Sequence, residues 1–453
     1  MKARIVNFTV NYDLVERMCK SGIATLNIPN AMIREMNDSF EEISGKSAAI
    51  CYMNKDYDAI ANEDIDKSIK RFKNTMKRGH QSVADHCYIS VVFEEVPKIF
   101  AMIMNSFQVY TTSEKSARYT VMKNLSDEEQ RLYDKWLGKL TPIFIEEGLD
   151  EKSAVKMAQE NARYFISIFS PATTFQYTTS FRQWNYINDW FNNLLNDDQF
   201  MTLNEKYDSY NIFKSNVAEC MEDFTNWFEK SYIYDENIKD QKNRKINFIK
   251  PAYNHFEHDY YSDEIVNYFG DIYQTTYAAS FAALAQLQRH RTLMYSIYDF
   301  PKFNMDVLDR NKLTYYSFNV FIPDIFNTTE MIPLSEEWYS DMRSILHLFP
   351  QGLNVIVKEM GTVEDFLLKC DERLCGRTQY ETMMICKDVL YKMVHESDYF
   401  MSSETFDDVC KWVSDKIVDG DIEVSINPKC KMRGGCPDGG CFHGPEHALD
   451  RKF

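Results

Sequence analysis

The chain has 453 residues, with 44% hydrophobic and 14% aromatic residues, and a formal net charge of −17. This length is ample for two domains with sizeable cores. The negative charge argues against nucleic acid as a partner, and no apolar run is long enough for a membrane span. Since no signal peptide is recognisable, the eleven cysteines are expected to be reduced thiols in a cytoplasmic protein.

Hydrophobic patterns predict the first elements in chain order. Residues 1–45 are expected to be an extension ahead of the first domain. A charged, periodic stretch predicts a helix over 64–77, and alternation with β-branched residues predicts a strand over 88–96. An apolar run predicts a helix over 98–110. Residues 125–164 are polar and helical in composition.

The later part of the chain has three further features. Residues 232–250 are polar and charged, which is typical of a linker, and residues 427–453 are too rich in Gly, Cys and Pro for a regular element. Between them, the nearly apolar stretch 278–287 predicts a packed helix. This helix leads into Arg289-His290-Arg291, and arginine suits the bidentate binding of phosphate. A solvated turn is the alternative interpretation of the tripeptide.

Two other segments give that tripeptide a context. They are His80-Gln81-Ser82-Val83-Ala84-Asp85-His86 and Ser113-Glu114-Lys115-Ser116-Ala117-Arg118-Tyr119. Together the three segments resemble the flavin-dependent thymidylate synthases (ThyX). In that family His-x-Ser/Thr-x-x-Glu-His is followed by Gln-x-x-Arg-His-Arg and, seven residues later, by Ser-x-Arg-Tyr. The resemblance covers about two thirds of the chain.

The signature is divided between two places in this chain. The first keeps the flanking segments but has Ser106-Phe107-Gln108 in place of Arg-His-Arg, and the second keeps Gln286 and Arg289-His290-Arg291 but has Asp299 in place of the serine. Position 106 in the first place corresponds to position 289 in the second, and the number of residues between them gives the period of a sequence repeat. A later segment of the family pattern, with Arg182 in the first copy and Glu364 in the second, gives nearly the same offset. We therefore predict a tandem duplication.

The resemblance implies an α+β fold with two tandem domains, each an antiparallel sheet with packed helices. The first copy is expected over 46–231 and the second over 251–426, joined by the 232–250 linker. Relatives are tetramers with sites between subunits, so a residue lost from one copy can be supplied by the other. Since the losses in the two copies are complementary, we expect the halves to form a pseudo-dimer, and two chains to form a homodimer that mimics the tetramer.

Roles of individual residues follow from the resemblance. The residues expected to bind the nucleotide are Gln286, Glu114, Ser116, Ala117, Arg118 and Arg182. The residues expected to bind the flavin are His80, Ser82, Asp85, Arg289, His290, Arg291, Arg373 and Arg377. Arg289, Ser116 and Arg118 are expected to take part in catalysis.

The implied activity is methylation of the uracil C5 of dUMP or a related pyrimidine nucleotide. The resemblance implies FAD as cofactor, methylenetetrahydrofolate as carbon donor and NADPH as reductant. One departure leaves two alternatives open: Met383 stands where relatives carry an arginine that holds the nucleotide. The alternatives are a 5-hydroxymethyl-pyrimidine nucleotide synthase and a pseudoenzyme that binds flavin or nucleotide without turnover.

The tail suggests a metal site. Cys430, Cys436 and Cys441 lie within twelve residues among glycines, a spacing compatible with structural Zn²⁺. Cys375 is the candidate fourth ligand, because some long family members pair a cysteine there with a cysteine-rich tail. Free thiols are the alternative.

Overall fold

The computed structural model describes most of the chain as two compact units, each built from discontinuous segments. The described residues are 1–9, 30–52, 56–107, 109–118, 120–197, 208–239, 272–299, 320–326, 328–395, 407 and 409–413. Unit 1 comprises 1–101, 107–115 and 171–246, and unit 2 comprises 102–106, 116–170 and 247–453. No helix within these described ranges is long and apolar enough to cross a membrane.

Unit 1 is organised around a four-stranded antiparallel sheet. Its strands are β1 (Lys2–Phe8), β2 (Tyr88–Val96), β3 (Thr111–Glu114) and β4 (Thr173–Ser180), in the order β1-β2-β4-β3. In β2 the side chains of Ile89, Val91 and Phe93 are fully buried, as the alternating sequence predicts. The strand predicted over 88–96 is therefore confirmed with its bounds.

Helices cover this sheet and supply most of the aromatic core of unit 1. They are α1 (Asn30–Tyr52), α2 (Tyr57–Ala61), α3 (Ile65–Lys77), α4 (Lys98–Met104, whose last three residues fall in unit 2), α7 (Phe181–Leu195) and α8 (Asp208–Phe228). The helix α3 begins where Asp64 accepts a hydrogen bond from the Lys67 amide. It passes so close to α1 that a Cβ on Gly45 would lie 2.0 Å from the Ser68 carbonyl oxygen.

Unit 2 is organised around a three-stranded antiparallel sheet, β5 (Ile272–Ser280), β6 (Met294–Asp299) and β7 (Asn354–Thr362), in the order β5-β7-β6. Its helices are α5 (Asp127–Glu146), α6 (Glu151–Ala162), α9 (Phe281–Leu287), α10 (Ile332–Ser344), α11 (Val363–Arg373) and α12 (Tyr380–His395). The sheets and helices together give the α+β class that the sequence predicts.

The helical content predicted over 125–164 is divided into two helices and a short 3₁₀ turn, Arg163–Phe165. The helix α5 begins with a capping box, in which the Ser126 hydroxyl and the Glu129 carboxylate each bond the other's backbone amide. The predicted helix over 98–110 ends earlier, at Met104. The predicted helix over 278–287 begins only at Phe281, because 278–280 end strand β5.

The predicted domain boundaries differ from the compact units. The extension 1–45 is part of unit 1, since β1 pairs with β2 along its length. The start of the predicted linker also packs on unit 1, where Asn185 donates to the Ile233 carbonyl and accepts from the Asp235 amide. The segment 116–170 belongs to unit 2, although the sequence places it in the first copy.

Aromatic packing explains why 116–170 belongs to unit 2. The Trp136 ring of α5 lies 4.8 Å from the Trp338 ring of α10, and Phe165 lies 4.6 Å from the same indole. Tyr164 stacks on Phe321 at 4.6 Å between ring centroids. All three pairs join residues that are far apart in sequence, so local patterns give no indication of them.

Candidate functional site

The Arg-His-Arg segment lies in a turn after a buried apolar helix. Helix α9 is almost entirely buried, and its N-terminus is capped by Ser280, whose hydroxyl accepts from the Ala283 amide. The chain then turns, with the Arg289 and His290 amides donating to the Gln286 and Leu287 carbonyls. The Arg291 side chain is exposed, Arg289 is half-buried and His290 is buried. The segment therefore places one half-buried and one exposed arginine directly after a buried helix.

His290 faces inward and is held by an arginine. Its Nε2 atom accepts a hydrogen bond of 2.6 Å from Arg373 Nε at the end of α11. Burial, with the positive charges of Arg373 and Lys369, lowers the pKa of His290 to about 3. The ring is therefore neutral at pH 7 with its proton on Nδ1. His290 was predicted to contact the flavin, and in the structure its Nε2 is an internal acceptor.

The Ser116–Arg118 turn places a buried guanidinium in the same unit. The Arg118 amide donates to the Ser116 hydroxyl at 3.3 Å, and Arg118 Nε donates to Glu160 Oε2 at 2.6 Å. Its Nη2 atom donates to the backbone carbonyl of Arg377 at 2.5 Å. Arg118 is only 9% exposed, which makes the Glu160 ion pair a buried one.

This last hydrogen bond joins the two halves of the divided signature. Arg118 and Arg377 are 259 residues apart in sequence, one in each predicted copy. Arg377 lies in the short connection between α11, which ends at Arg373, and α12, which begins at Tyr380. The structure therefore brings the Ser116–Arg118 turn, the Arg373–Arg377 connection and the Arg-His-Arg segment together in unit 2.

A buried carboxylate lies beside this connection. Glu381 accepts from the backbone amide of Ser280 at 2.7 Å, from the Ser280 hydroxyl at 2.6 Å and from the Tyr164 hydroxyl at 2.9 Å. Gln379 Nε2 is a fourth donor at 3.2 Å. Burial raises the pKa of Glu381, and its hydrogen bonds and the charge of Arg163 oppose that shift.

A second buried network stabilises the sheet of unit 2. Lys369 of α11 forms an ion pair with Glu359 of β7, and both side chains are fully buried. Glu359 also accepts hydrogen bonds from the hydroxyls of Tyr273 and Tyr277. Burial opposes the charged form of Lys369, but the Glu359 carboxylate outweighs it and raises the Lys369 pKa. No motif in the sequence indicates this network.

Several predicted flavin and nucleotide residues lie in unit 1 instead. Asp85 accepts from the Ser180 hydroxyl at 2.7 Å and from Arg182 Nε at 3.0 Å, so the predicted flavin-binding carboxylate is paired with the predicted nucleotide-binding arginine. His80 and Ser82 are exposed beside them. Glu114 forms an ion pair with Lys98 and is nearly buried.

An aromatic contact marks the place where the first copy lacks Arg-His-Arg. The Phe107 ring lies 4.4 Å from the Trp190 ring in an edge-on arrangement. The offset that relates position 106 to position 289 also relates Phe107 to His290, and the offset that relates Arg182 to Glu364 relates Phe191 to Arg373. The Phe107 and Phe191 ring centroids lie 6.2 Å apart. The polar pair of unit 2 therefore has an apolar pair at the corresponding positions of unit 1.

The remaining predicted residues are placed as follows. Gln286 is half-buried, and its side-chain oxygen has no hydrogen-bond partner among the described residues. Ala117 lies in the turn before Arg118, and the Arg377 side chain is exposed. The sequence did not identify Glu160 or Tyr164. Neither belongs to a motif, and each meets its partners only through the fold.

The predicted zinc ligands of the tail, Cys430, Cys436 and Cys441, lie outside the described residues. Cys375 is described, with its sulfur 3.5 Å from the Arg377 amide. Within the described ranges no group of three or more His, Cys, Asp or Glu residues is arranged to hold a metal ion. The zinc site remains a prediction from the sequence.

Comparison with known proteins gives a family match for the first part of the chain. Residues 31–189 match the family described as Thymidylate synthase complementing protein. The chain is 23% identical over 146 residues to the flavin-dependent thymidylate synthase of Clostridium tetani. That alignment covers 27% of this chain and 59% of the relative, so the chain spans less than two thirds of the relative's length.

Solved structures of two related proteins are also similar. One is a UMP/dUMP methylase, PolB from Streptomyces cacaoi, with 13% identity, a TM-score of 0.28 and coverage of 52% of this chain and 93% of that chain. The other is the flavin-dependent thymidylate synthase ThyX from Helicobacter pylori, complexed with FAD and dUMP. It shows 14% identity, a TM-score of 0.27 and coverage of 53% and 100%.

Proposed function

Since residues 31–189 match the family of thymidylate synthase complementing proteins, we propose that the chain is a flavin-dependent enzyme. Its substrate would be dUMP or a related pyrimidine nucleotide, methylated at the uracil C5. The observation that carries the proposal is the hydrogen bond between Arg118 and the Arg377 carbonyl. It joins the Ser116–Arg118 turn to the connection after α11, the helix whose Arg373 donates to His290.

The residues of unit 2 fit anionic ligands. Arg289 and Arg291 follow a buried helix and reach partial or full exposure, which suits contact with a flavin or phosphate. FAD, when bound, would supply the hydride chemistry, with NADPH as reductant and methylenetetrahydrofolate as carbon donor. Arg289 would stabilise negative charge on the base. Ser116 and the Ala117 backbone would hold the nucleotide beside Arg118.

A hydroxymethylating enzyme is the second candidate, and Met383 is the observation that favours it. This residue is buried on α12, one turn after Gln379, so the family arginine has no charged substitute at that position. A missing charge-assisted contact weakens nucleotide binding by about 1.5–3 kcal/mol. A less tightly held base fits an outcome in which water captures the one-carbon intermediate.

The tandem duplication is part of the proposal, and a pair of hydrogen bonds in unit 2 supports it. The Ile168 amide donates to the Phe349 carbonyl at 2.9 Å, and the Gln351 amide donates to the Ile166 carbonyl at 2.7 Å. The offset between positions 106 and 289 relates the donor 168 to the donor 351, and the acceptor 166 to the acceptor 349. A two-fold relation between equivalent segments produces such a reciprocal pair.

The strand pairing supports the same period. Thr111 of β3 pairs with Thr178 of β4, and Met294 of β6 pairs with Met360 of β7. The offset between positions 106 and 289 relates Thr111 to Met294, and the offset between Arg182 and Glu364 relates Thr178 to Met360. In the four-stranded sheet the last strand in sequence, β4, lies between β2 and β3. In the three-stranded sheet the last strand in sequence, β7, lies between β5 and β6, and a helix begins immediately after each of these two strands.

Purified protein is expected to bind about one FAD per chain and to convert dUMP into a product with a new one-carbon substituent. The reason is that the chain has one Arg-His-Arg segment, and the corresponding place in the first copy holds Ser106-Phe107-Gln108, with the Phe107 ring packed on Trp190. Flavin absorbance against protein concentration gives the stoichiometry, and mass spectrometry of the product distinguishes methyl from hydroxymethyl. Tight FAD binding without turnover of any pyrimidine nucleotide would indicate the pseudoenzyme instead.

Two chains are expected to form a homodimer, because one chain with two copies corresponds to half of the family's tetramer. Light scattering of the full chain should give twice the mass of one chain at all concentrations above the dissociation constant. A monomer or a true tetramer would contradict the pseudo-tetramer.

A further inference from the structure

We propose that Tyr164 and Glu381 are positioning residues that hold the Arg-His-Arg segment and the Arg118 turn in a fixed geometry. The proposal rests on the proposed function, since it concerns the same site. Neither side chain is among the residues expected to touch flavin or nucleotide. Their role would be exerted through a continuous buried hydrogen-bond network within unit 2.

The first half of this network fixes the Arg-His-Arg segment at both ends. At the start of α9, the Ser280 amide and hydroxyl both donate to Glu381 of α12. Beyond the end of α9, His290 accepts from Arg373 of α11. The segment 280–291 is therefore hydrogen-bonded to α12 at one end and to α11 at the other. Arg377 lies in the connection between these two helices.

The second half leads from Glu381 toward Arg118. The Tyr164 hydroxyl donates to Glu381 and accepts from Gln379 Nε2. The side-chain oxygen of Gln379, Oε1, accepts a hydrogen bond from Arg163 Nη2. Arg163 Nε in turn donates to the backbone carbonyl of Glu160 at 3.1 Å.

Glu160 completes the path, because its carboxylate forms the ion pair with Arg118. Tyr164, Gln379 and Glu381 are each no more than 2% exposed, and Arg163 and Glu160 are 7% and 4% exposed. Water therefore competes poorly for these hydrogen bonds, and each group restricts the orientation of the next. A carboxylate with four donors has few alternative orientations, which is the arrangement expected of a residue that supports binding groups.

The test is Tyr164→Phe, compared with Tyr133→Phe in the full chain. Both tyrosines are buried in unit 2, but within the part of the chain that the structure describes the Tyr133 hydroxyl has no hydrogen-bond partner. The two variants therefore lose the same atom with different consequences. Tyr164→Phe should weaken dUMP binding and raise KM for dUMP about tenfold, the effect of losing a hydrogen bond to a charged group. Tyr133→Phe should leave the affinity for dUMP and the KM for dUMP unchanged.

A double-mutant cycle distinguishes positioning from general destabilisation. Arg118→Lys should weaken dUMP binding strongly in the parent and several-fold less in the Tyr164→Phe background, because Arg118 is no longer held in place there. Additive effects, or a lower Tm with unchanged dUMP affinity, would overturn the proposal. If Tyr164→Phe does not fold, Gln379→Met interrupts the same path and should show the same coupling.

This experiment distinguishes a failure of the proposed function from a failure of the positioning role. A parent protein that binds neither FAD nor dUMP contradicts the proposed function itself. A parent that binds both, with a Tyr164→Phe variant of equal affinity, contradicts only the positioning role.

Discussion

Arg118→Ala is expected to abolish turnover and to lower the free energy of unfolding by about 3–5 kcal/mol, the range found when one partner of a buried ion pair is removed. The substitution leaves the Glu160 carboxylate buried without its 2.6 Å partner and removes a donor from the Arg377 carbonyl. Urea denaturation measures the stability, and product formation from dUMP measures the activity. Arg131→Ala, at an exposed arginine of α5, is the control and should change stability by less than about 0.5 kcal/mol.

A double variant separates the structural effect of Arg118 from its chemical effect. Arg118→Ala combined with Glu160→Ala removes both charges, so a substantial part of the lost stability should return. Activity should not return, because the nucleotide still lacks its arginine. Recovery of turnover in the double variant would show that Arg118 only neutralises Glu160 and has no part in binding the substrate.

Local features of the fold were predictable because they depend on neighbours in sequence. Strand β2 alternates apolar and polar residues and is confirmed from Tyr88 to Val96. Helix α3 was predicted from Asp64, which is its N-cap, to its last residue Lys77. The helix predicted to start at 278 begins three residues later, since small apolar residues fit a buried strand end as well as a helix start.

The compact units were not predictable, because they depend on packing between distant segments. The sequence repeat places 116–170 in the first copy, but Trp136 and Phe165 pack against Trp338 in unit 2. Hydrophobic periodicity shows that a helix face is buried, but it does not show which other segment covers it.

At the candidate site too, residues within sequence motifs were predictable, whereas partners from distant segments were not. The resemblance to the flavin-dependent thymidylate synthases indicated Arg118 and the Arg-His-Arg segment, and the structure places them in one unit. Their supporting partners, Glu160 and Tyr164, carry no motif, because a buried carboxylate or hydroxyl needs only the right distance in space. The inward orientation of His290 also depends on Arg373, which lies 83 residues later in the chain.

The stability of the protein is expected to fall between pH 6.5 and pH 3 partly because of His290. Its pKa is lowered to about 3 in the folded state by burial and by the charges of Arg373 and Lys369, against an ordinary value of 6.5. Between these values the unfolded chain binds a proton that the folded chain excludes, so stability rises with pH in this window. The contribution is complete above pH 6.5 and is lost as the pH falls toward 3, at up to about 1.4 kcal/mol per pH unit.

His290→Gln is the test of this pH dependence, because a glutamine oxygen can still accept from Arg373 and does not titrate. The variant should be less stable than the parent at pH 7, and the difference should shrink as the pH is lowered to about 4.5, since only the parent carries the protonation penalty. His347→Gln, at an exposed histidine of the same unit, is the matched control for the same chemical change. A constant difference between His290→Gln and the parent would mean that His290 is not held neutral. The Arg-His-Arg segment would then carry three positive charges at low pH instead of two.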